Sequence, residues 1–511
     1  MSEHTGGRVA SASDHTGGRV ASASDHTGGR VASASERIET TTTPDLGTRP
    51  AAPGATRSPE GSLFRFATAG SVDDGKSTLV GRLLHDSKAI LADQLESVAR
   101  TSAERGFGGE PGAIDFALLT DGLRAEREQG ITIDVAYRYF STGRRSFILA
   151  DCPGHVQYTR NMVTGAATAD AVVVLVDVRN GVLEQTRRHL AVVQLLRVPH
   201  VIVAVNKIDL VGYDRAAFEQ VAADVAGLAR DLGLPDAHVV PVSALAGDNI
   251  VERSANTPWY DGPSLLELLE TLSTIDELET DLEALRLPVQ LVIRPQGALS
   301  PELIDGRSGS EASVRAFGAT RPPAADDFRD YRAFAGRIES GTVRVGDVVE
   351  VFPAGVTTTV TGIDRGPVAV EAASAPLSVS LRLADPVDAA RGAVIAAAGS
   401  LPKPRRELEA DVFQLDGRPL TPGSRVLVKH GTSTVQALVS DIRGRLDLDT
   451  LETEPTAALE TNDIGLVRLK LAADLAVEPY AAHRRAGAFL VIHPHDGATL
   501  AAGIVTEGGP A

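Results

Sequence analysis

The sequence has little cysteine, few aromatic residues and no long apolar run, and each shortage narrows the possible classes of protein. The single cysteine, Cys152, excludes an internal disulfide and a four-cysteine zinc site. No apolar run reaches the roughly 20 residues that a membrane-spanning helix needs, and the polar N-terminus has no apolar signal core. We therefore expect a cytoplasmic protein without a membrane partner.

Lysine is also scarce, because only six of the 50 basic residues are lysine and the rest are arginine. The two side chains differ in geometry, so a lysine in this chain marks a position that favours a compact point charge. Two of the six, Lys76 and Lys207, lie in the motifs described below. Acidic residues outnumber basic residues, which gives a net charge of −17. This balance argues against non-specific nucleic-acid binding.

The patterning along the chain predicts a tail followed by three domains. Three copies of the unit (D/E)HTGGRVASAS and a Thr- and Pro-rich stretch predict a disordered tail over 1–62. Over 63–286, continuous apolar strands alternate with helical stretches, which predicts a parallel sheet flanked by helices. Short β-branched strands then predict two β-barrel domains, at 287–402 with an inserted loop at 297–326, and at 403–511. The predicted fold class is multidomain, α/β followed by all-β.

A glycine-rich motif lies between the first apolar strand and a helical stretch. It has the spacing G-x-x-x-x-G-K-S and comprises Gly70, Ser71, Val72, Asp73, Asp74, Gly75, Lys76 and Ser77, followed by Thr78. In such a P-loop, backbone N–H groups and a helix N-terminus surround phosphate oxygens. We predict a nucleoside triphosphate site in which Lys76 contacts the β- and γ-phosphates and Ser77 binds Mg²⁺.

Two further segments supply groups for the metal and the terminal phosphate. Asp151 follows an apolar strand and is predicted to hold Mg²⁺ through water, and Thr132 in the string GITI is a predicted second hydroxyl ligand. Gly154 permits close backbone approach to the γ-phosphate. His155 is predicted to orient the attacking water, with a packing role as the alternative. His155, Lys76 and Thr132 are therefore the candidate catalytic residues.

A third set of motifs selects the base. Asp209 can accept hydrogen bonds from the N1–H and the amine of guanine, whereas adenine would leave its carboxylate unpaired. The stem of Lys207 can cover the base. The predicted base-binding residues are Asn206, Lys207, Asp209, Ser243, Ala244 and Leu245. Since these motifs occur in the expected order, each at a strand end, they predict a P-loop GTPase domain that uses GTP and Mg²⁺.

The order of these motifs, followed by two β domains, resembles the translational GTPases typified by elongation factor Tu. Within that superfamily the chain is similar to the GTPase-subunit family of bacterial ATP sulfurylases (sulfate adenylyltransferase subunit 1, CysN type). The strings that carry the similarity are GSVDDGKSTLVGRLLHDSKAI, LLTDGLRAEREQGITIDVAYRYF, DCPGHVQYTRNMVTGAATAD, GVLEQTRRH and PWYDGPSLLELLE.

The resemblance implies a partner, an ATP-pyrophosphatase-like sulfate adenylyltransferase subunit 2, that joins ATP and sulfate into adenosine 5′-phosphosulfate and pyrophosphate. GTP hydrolysis on this chain would drive that uphill reaction. The resemblance also implies that Val72 and Ile131 screen His155 from its water. A second P-loop is absent from the 511 residues, so we expect no adenylylsulfate kinase activity.

Two alternatives belong to other functional classes. A translation factor acting on tRNA would need a basic, aromatic-bearing surface on the β domains. The sequence after 287 has few aromatic residues, and its best basic clusters, 403–406 and 483–485, are short. Nucleic acid is therefore not the expected partner. A regulatory GTPase with a protein client is the other alternative.

Overall fold

The computed structural model describes residues 62–90, 92–104, 114–119, 135–154, 159–234, 237–280, 284–294, 331–448, 450 and 452–506. Nearly all of the predicted tail, the predicted loop at 297–326, and the site candidates Thr132 and His155 lie outside these residues. Those expectations stay predictions, as do the exact domain boundaries.

A six-stranded mixed sheet forms the centre of the α/β domain. Its strands are β1 (Leu63–Gly70), β2 (Ala136–Ser141), β3 (Ser146–Asp151), β4 (Ala171–Asp177), β5 (His200–Asn206) and β6 (His238–Pro241), in the order β2-β3-β1-β4-β5-β6. Five strands pair in parallel, which confirms the prediction for them. The edge strand β2 pairs antiparallel with β3, because the four residues between them are too few for a parallel crossover.

Helices cover both faces of this sheet. They are α1 (Lys76–Asp86), α2 (Ala92–Glu104), α3 (Thr159–Ala166), α4 (Glu184–Leu195), α5 (Arg215–Asp231), α6 (Leu265–Thr271) and α7 (Ile275–Thr280), with short 3-10 helices at Phe116–Leu119 and Ile208–Val211. Every residue of β4 is buried. Val172 and Val174 pack into one apolar cluster, while Val173 and Leu175 pack into another on the opposite face. Strand β4 can be apolar along its whole length because both faces of the sheet are covered.

The remaining chain forms antiparallel sheets. The middle module contains β7 (Arg286–Pro288), β8 (Leu291–Ile293), β9 (Ala333–Arg337), β10 (Thr342–Arg344), β11 (Val348–Phe352), β12 (Val356–Arg365), β13 (Val368–Val370), β14 (Ala372–Ser374), β15 (Ser378–Leu383) and β16 (Val394–Ala397). The C-terminal module contains β17 (Arg405–Gln414), β18 (Arg425–His430), β19 (Ser433–Leu446), β20 (Thr453–Glu454), β21 (Ile464–Leu475), β22 (Ala488–Ile492) and β23 (Thr499–Val505).

The C-terminal module is a closed barrel. Strand β18 pairs with both β22 and β19, so six strands return on themselves, and β20 extends the sheet beside β19. Closure removes the exposed edges that an open sheet would present. The middle module has an eight-stranded sheet and a separate β10–β14 pair around its own apolar core. The predicted succession of an α/β domain and two all-β modules is therefore confirmed.

The helices of the described residues do not meet the requirements of a bilayer. None combines the length and the apolar character that a transmembrane helix needs.

Candidate functional site

The P-loop connects the carboxyl end of β1 to the N-terminus of α1, and its backbone requires glycine at two points. Gly75 has a φ of 92°, in the left-handed region, and a Cβ there would lie 2.5 Å from Asn206 Nδ2. A Cβ on Gly70 would lie 2.9 Å from the carbonyl oxygen of Leu175. Asp74 is buried and accepts a hydrogen bond from the Ser71 N–H at 2.6 Å, which holds the loop in its turn. The sequence motif thus forms the tight loop that was predicted from it.

Lys76 places its ammonium group inside this loop. Its Nζ donates to the carbonyl oxygens of Gly70 at 2.9 Å and Ser71 at 2.7 Å. Burial lowers the pKa of Lys76, although the carboxylate of Asp151 partly opposes the shift. The mouth of the loop therefore carries a buried cation that a phosphate group would stabilise.

Two further observations fit a phosphate in the loop. The hydroxyl of Ser71 is buried and has no hydrogen-bond partner. Gly154 lies so close that a Cβ on it would be 2.3 Å from Lys76 Nζ and 2.6 Å from the Gly70 carbonyl oxygen. An unsatisfied buried hydroxyl is costly, and a phosphate oxygen is a suitable partner for it. The loop, Lys76 and Gly154 therefore fit the phosphates of a nucleotide.

Two of the residues predicted to hold Mg²⁺, Asp151 and Ser77, lie at the same edge of the sheet as the P-loop. Asp151 ends β3 and is buried, and its Oδ1 accepts a hydrogen bond from the Thr68 hydroxyl of the neighbouring strand β1 at 2.7 Å. Ser77 lies in the first turn of α1. Carboxylate and hydroxyl oxygens suit Mg²⁺, which commonly takes its other ligands from water and substrate phosphates. Asp151 and Ser77 thus fit the metal by their chemistry.

Asn206 joins the P-loop to the segments predicted to bind the base. Its Nδ2 donates to the carbonyl oxygen of Asp74 at 2.7 Å, and its Oδ1 accepts from the Ala244 N–H at 2.9 Å. The side chain is buried. This single carboxamide therefore fixes the relative positions of β5, the P-loop and the segment around Ala244, which are far apart in sequence.

Lys207 also bridges to the P-loop. Lys207 has a backbone φ of 63°. Its Nζ donates to the carbonyl oxygen of Asp73 and lies 3.0 Å from Asp177 Oδ2. Asp209 lies in the 3-10 helix that follows, and its carboxylate makes no hydrogen bond to any described residue. This carboxylate is thus available to a base, while the Lys207 stem is fixed across the loop.

The segment Ser243-Ala244-Leu245 is held by its own contacts. The Ser243 hydroxyl accepts a hydrogen bond from the Ala246 N–H at 3.1 Å. Arg82 of α1 donates to the Leu245 carbonyl oxygen at 3.1 Å and pairs with Asp86 at 2.7 Å. Leu245 itself is exposed. The contact from Arg82 joins α1 to the base-binding side, and it was not predicted from the sequence.

Asp177 is a second residue that was missed. It ends β4, and its carboxylate pairs with Arg179 at 2.6 Å and with Lys207 at 3.0 Å. Burial alone would raise the pKa of Asp177, but the hydrogen bonds from Arg179 and Lys207 outweigh it and the pKa is lowered. The sequence did contain a signal, because Asp177 ends an apolar strand just as Asp151 does.

The structure thus brings together the P-loop, Asp151, Gly154 and the segments around Asn206 and Ala244. The predicted roles of these residues with GTP and Mg²⁺ stay predictions. Val72 is 44% exposed at the rim of the loop, and its expected partner Ile131 lies outside the described residues.

Comparison with known families identifies two parts of the chain. Residues 62–278 match the elongation factor Tu GTP binding domain, and residues 407–506 match the GTP-eEF1A C-terminal domain-like family. The first match establishes a GTP-binding domain. The solved structure of sup35 complexed with GDP covers 88% of this chain and 95% of that chain, with 21% identity and a TM-score of 0.38.

Relatives with assigned names are similar over most of the chain. Sulfate adenylyltransferase subunit 1 of Teredinibacter turnerae is 43% identical over 87% of both chains. The bifunctional enzymes CysN/CysC of Mycobacterium tuberculosis and Xylella fastidiosa are both 46% identical over 87% of this chain. The chain spans 67% and 66% of those two longer proteins. By these matches and by its GTP-binding domain, the chain belongs to the sulfate adenylyltransferase subunit 1 (CysN) family of elongation factor Tu-like GTPases.

Proposed function

We propose that this chain is the GTP-hydrolysing subunit of a two-subunit ATP sulfurylase. It would couple GTP hydrolysis to the formation of adenosine 5′-phosphosulfate and pyrophosphate from ATP and sulfate. The observation that carries the proposal is the 43% identity, over 87% of both chains, to a protein named sulfate adenylyltransferase subunit 1. The partner would be an ATP-pyrophosphatase-like subunit 2 that binds ATP and sulfate, and the complex would act in the cytoplasm.

Recognition of guanine would rest on the carboxylate of Asp209. Its two oxygens can accept the N1–H and the amine of the base, and an adenine would leave it unpaired. The Lys207 stem would cover one face of the base, since its ammonium is already fixed by Asp73 and Asp177. Leu245 would present its backbone N–H to the guanine carbonyl, since the Ala244 N–H already donates to Asn206 Oδ1.

The phosphates would bind in the P-loop. Lys76 would exchange its two carbonyl contacts for β- and γ-phosphate oxygens, and the Ser71 hydroxyl would gain the partner it lacks. Ser77, Thr132 and Asp151, the last through water, would hold Mg²⁺. When bound, Mg²⁺ neutralises charge on the β- and γ-phosphates.

Hydrolysis needs a positioned water more than covalent chemistry. His155 would orient that water from the segment directly after Gly154, and Val72 with Ile131 would screen it from bulk solvent. Gly154 supports this arrangement because its Cα lies against the mouth of the P-loop, where a side chain would collide with Lys76.

The test is an exchange of base specificity in the assembled complex. In Asp209→Asn, an amide replaces the carboxylate and suits xanthine, which has a carbonyl where guanine has the amine. We expect xanthosine triphosphate to support sulfate-dependent pyrophosphate release from ATP by the variant complex. GTP should do so only for the unmodified complex.

Three controls belong to this test: omission of sulfate, omission of the triphosphate, and xanthosine triphosphate with the unmodified chain. Pyrophosphate release that ignores the guanine or xanthine nucleotide in both complexes would contradict the coupling. Unchanged preference for GTP in the variant would contradict the role of Asp209 while leaving the coupling intact.

A further inference from the structure

A cavity of about 450 Å³ lies where the α/β domain meets both β modules. Its walls include Arg65 of β1, Arg337 of β9 and Lys429 of β18. The volume is within the range of about 300–1,000 Å³ that is typical of small-molecule sites. The P-loop residues are not part of its lining, so the cavity is separate from the nucleotide site described above.

The lining is strongly cationic in a protein whose net charge is −17. It contains five basic residues, Arg65, Arg337, Lys429, Arg484 and Arg485, and Glu339 is its one acidic residue. These cations come from three separate modules of the chain. Gathering like charges at a junction is unfavourable unless counter-charges are supplied.

The protein supplies only part of that counter-charge. Asp276 is shared by two arginines, at 3.3 Å from Arg337 and 2.5 Å from Arg485. Arg484 donates to the carbonyl oxygens of Ala167 at 3.2 Å and Ala169 at 3.4 Å, which carry no full charge. Burial lowers the pKa of Arg337, and the nearby Arg485 and Arg65 lower it further against the effects of Asp276 and Glu339.

Two of the five cations, Arg65 and Lys429, have no ion pair within the part of the chain that the structure describes, although the Asp170 carboxylate is near enough to Arg65 to interact with it electrostatically. Neither the Arg65 guanidinium nor the Lys429 ammonium makes a hydrogen bond or an ion pair there. Both are partly buried rather than fully solvated. A multiply charged anion in the cavity would therefore find two free donors and three further arginines.

The rest of the wall is apolar. Val163, Phe413, Phe489 and Ile504 line it together with Leu490, which is 37% exposed. Such a surface suits a planar or apolar group rather than a small hydrated ion. We propose that this cavity binds a nucleotide-sized organic polyanion of the nucleoside diphosphate class, at a site separate from the P-loop. The inference does not rest on the proposed coupling to sulfate.

The experiment uses the full chain with Mg²⁺ and one equivalent of GDP, so that the P-loop site is occupied and little free GDP competes for the cavity. Isothermal titration calorimetry with ADP, inorganic pyrophosphate and adenosine separates the contribution of the anionic phosphates to binding from that of the nucleoside. We expect one ADP to bind per chain, pyrophosphate to bind at least about fivefold more weakly, and adenosine to show no saturable binding, because charge-assisted hydrogen bonds dominate.

Substitutions then locate the site. Arg65→Gln and Lys429→Gln should each weaken ADP binding by about fivefold or more, because each removes an unpaired donor. Arg344→Gln and Lys403→Gln are the matched controls, since both residues are exposed and lie outside the lining. Both controls should bind ADP like the unmodified chain. GDP affinity and thermal unfolding, measured for every variant, report on folding and on the P-loop site.

Four results would overturn the proposal. The first is the absence of saturable ADP binding to the GDP-loaded chain. The second is unchanged ADP affinity in the Arg65→Gln/Lys429→Gln double variant. The third is displacement of GDP by ADP, which would place the second nucleotide in the P-loop. The fourth is equal affinity for adenosine and ADP, which would refute the role of the anionic groups.

Discussion

Replacing Asn206 by alanine is expected to destabilise the α/β domain and to weaken nucleotide binding at the same time. The substitution removes both oxygen and nitrogen of the carboxamide that joins the P-loop to Ala244. The Asp74 carbonyl and the Ala244 N–H then lose their partners. Both residues are only 3% exposed, so water has little access to replace the lost bonds.

The size of the effect follows from these two groups. A buried backbone group left without a partner costs about 1–3 kcal/mol, so two of them lower the free energy of unfolding by about 2–6 kcal/mol. Nucleotide affinity should fall as well, because the P-loop and the base-binding segment are no longer held in register before the ligand arrives. We expect the dissociation constant for GDP to rise at least about tenfold, which corresponds to 1.4 kcal/mol.

Asn249 provides a matched control for this prediction. It is equally buried, and its Nδ2 donates to the Pro241 carbonyl at 2.8 Å and to the Thr257 hydroxyl at 2.9 Å. It makes no hydrogen bond to the P-loop. Its Oδ1 also accepts from the Ser254 N–H at 2.8 Å, and its φ of 56° is unfavourable for alanine. Asn249→Ala should therefore lower the free energy of unfolding at least as much as Asn206→Ala and leave the affinity for GDP nearly unchanged.

The two variants are compared by urea unfolding without nucleotide and by calorimetric titration with GDP. The concentration of folded protein is measured in each titration, since partial unfolding would imitate weak binding. The reasoning is refuted if Asn206→Ala binds GDP within twofold of the unmodified chain, or if Asn249→Ala loses as much affinity as Asn206→Ala.

Three further predictions concern single side chains. Lys76→Ala should abolish binding of GTP in a filter or titration assay, because it removes the buried cation of the P-loop, whereas Lys403→Ala should bind GTP normally. His155→Ala should bind GTP normally and hydrolyse it slowly in a single-turnover assay; full hydrolysis would assign the orientation of water to another group. Burial and the neighbouring Glu409 raise the pKa of Asp411 to about 6. The contribution of Asp411 to the free energy of unfolding is therefore favourable at low pH, where its carboxyl group is protonated, and is lost as the pH rises toward and through 6. Asp411→Asn should therefore raise the free energy of unfolding by about 1–3 kcal/mol at pH 8 and by clearly less at pH 5; an equal gain at both pH values would show that the charge of Asp411 is not the cause.

Much of the fold could be predicted because its signals are local. The uninterrupted apolar run that became β4 requires cover on both faces, and the structure provides it. The positions of Gly70 and Gly75 follow from the backbone that a P-loop needs. Strand β2 was missed together with its antiparallel direction, because it is only partly apolar and a continuous apolar run does not reveal it.

The contacts that organise the site were harder to predict because they depend on strand order. Arg82 reaches Leu245 across 163 positions of sequence, and no local pattern records such a pair. Asp177 could have been found by a rule of topology rather than of motif. Both β3 and β4 lie beside β1, so a carboxylate at the end of either strand must lie next to the P-loop. Asp151 was recognised because it lies in a familiar motif. Asp177 ends the strand on the other side of β1 and lies in no such motif. For Asp177, the position of its strand beside β1 was therefore a better guide to the site than any sequence motif.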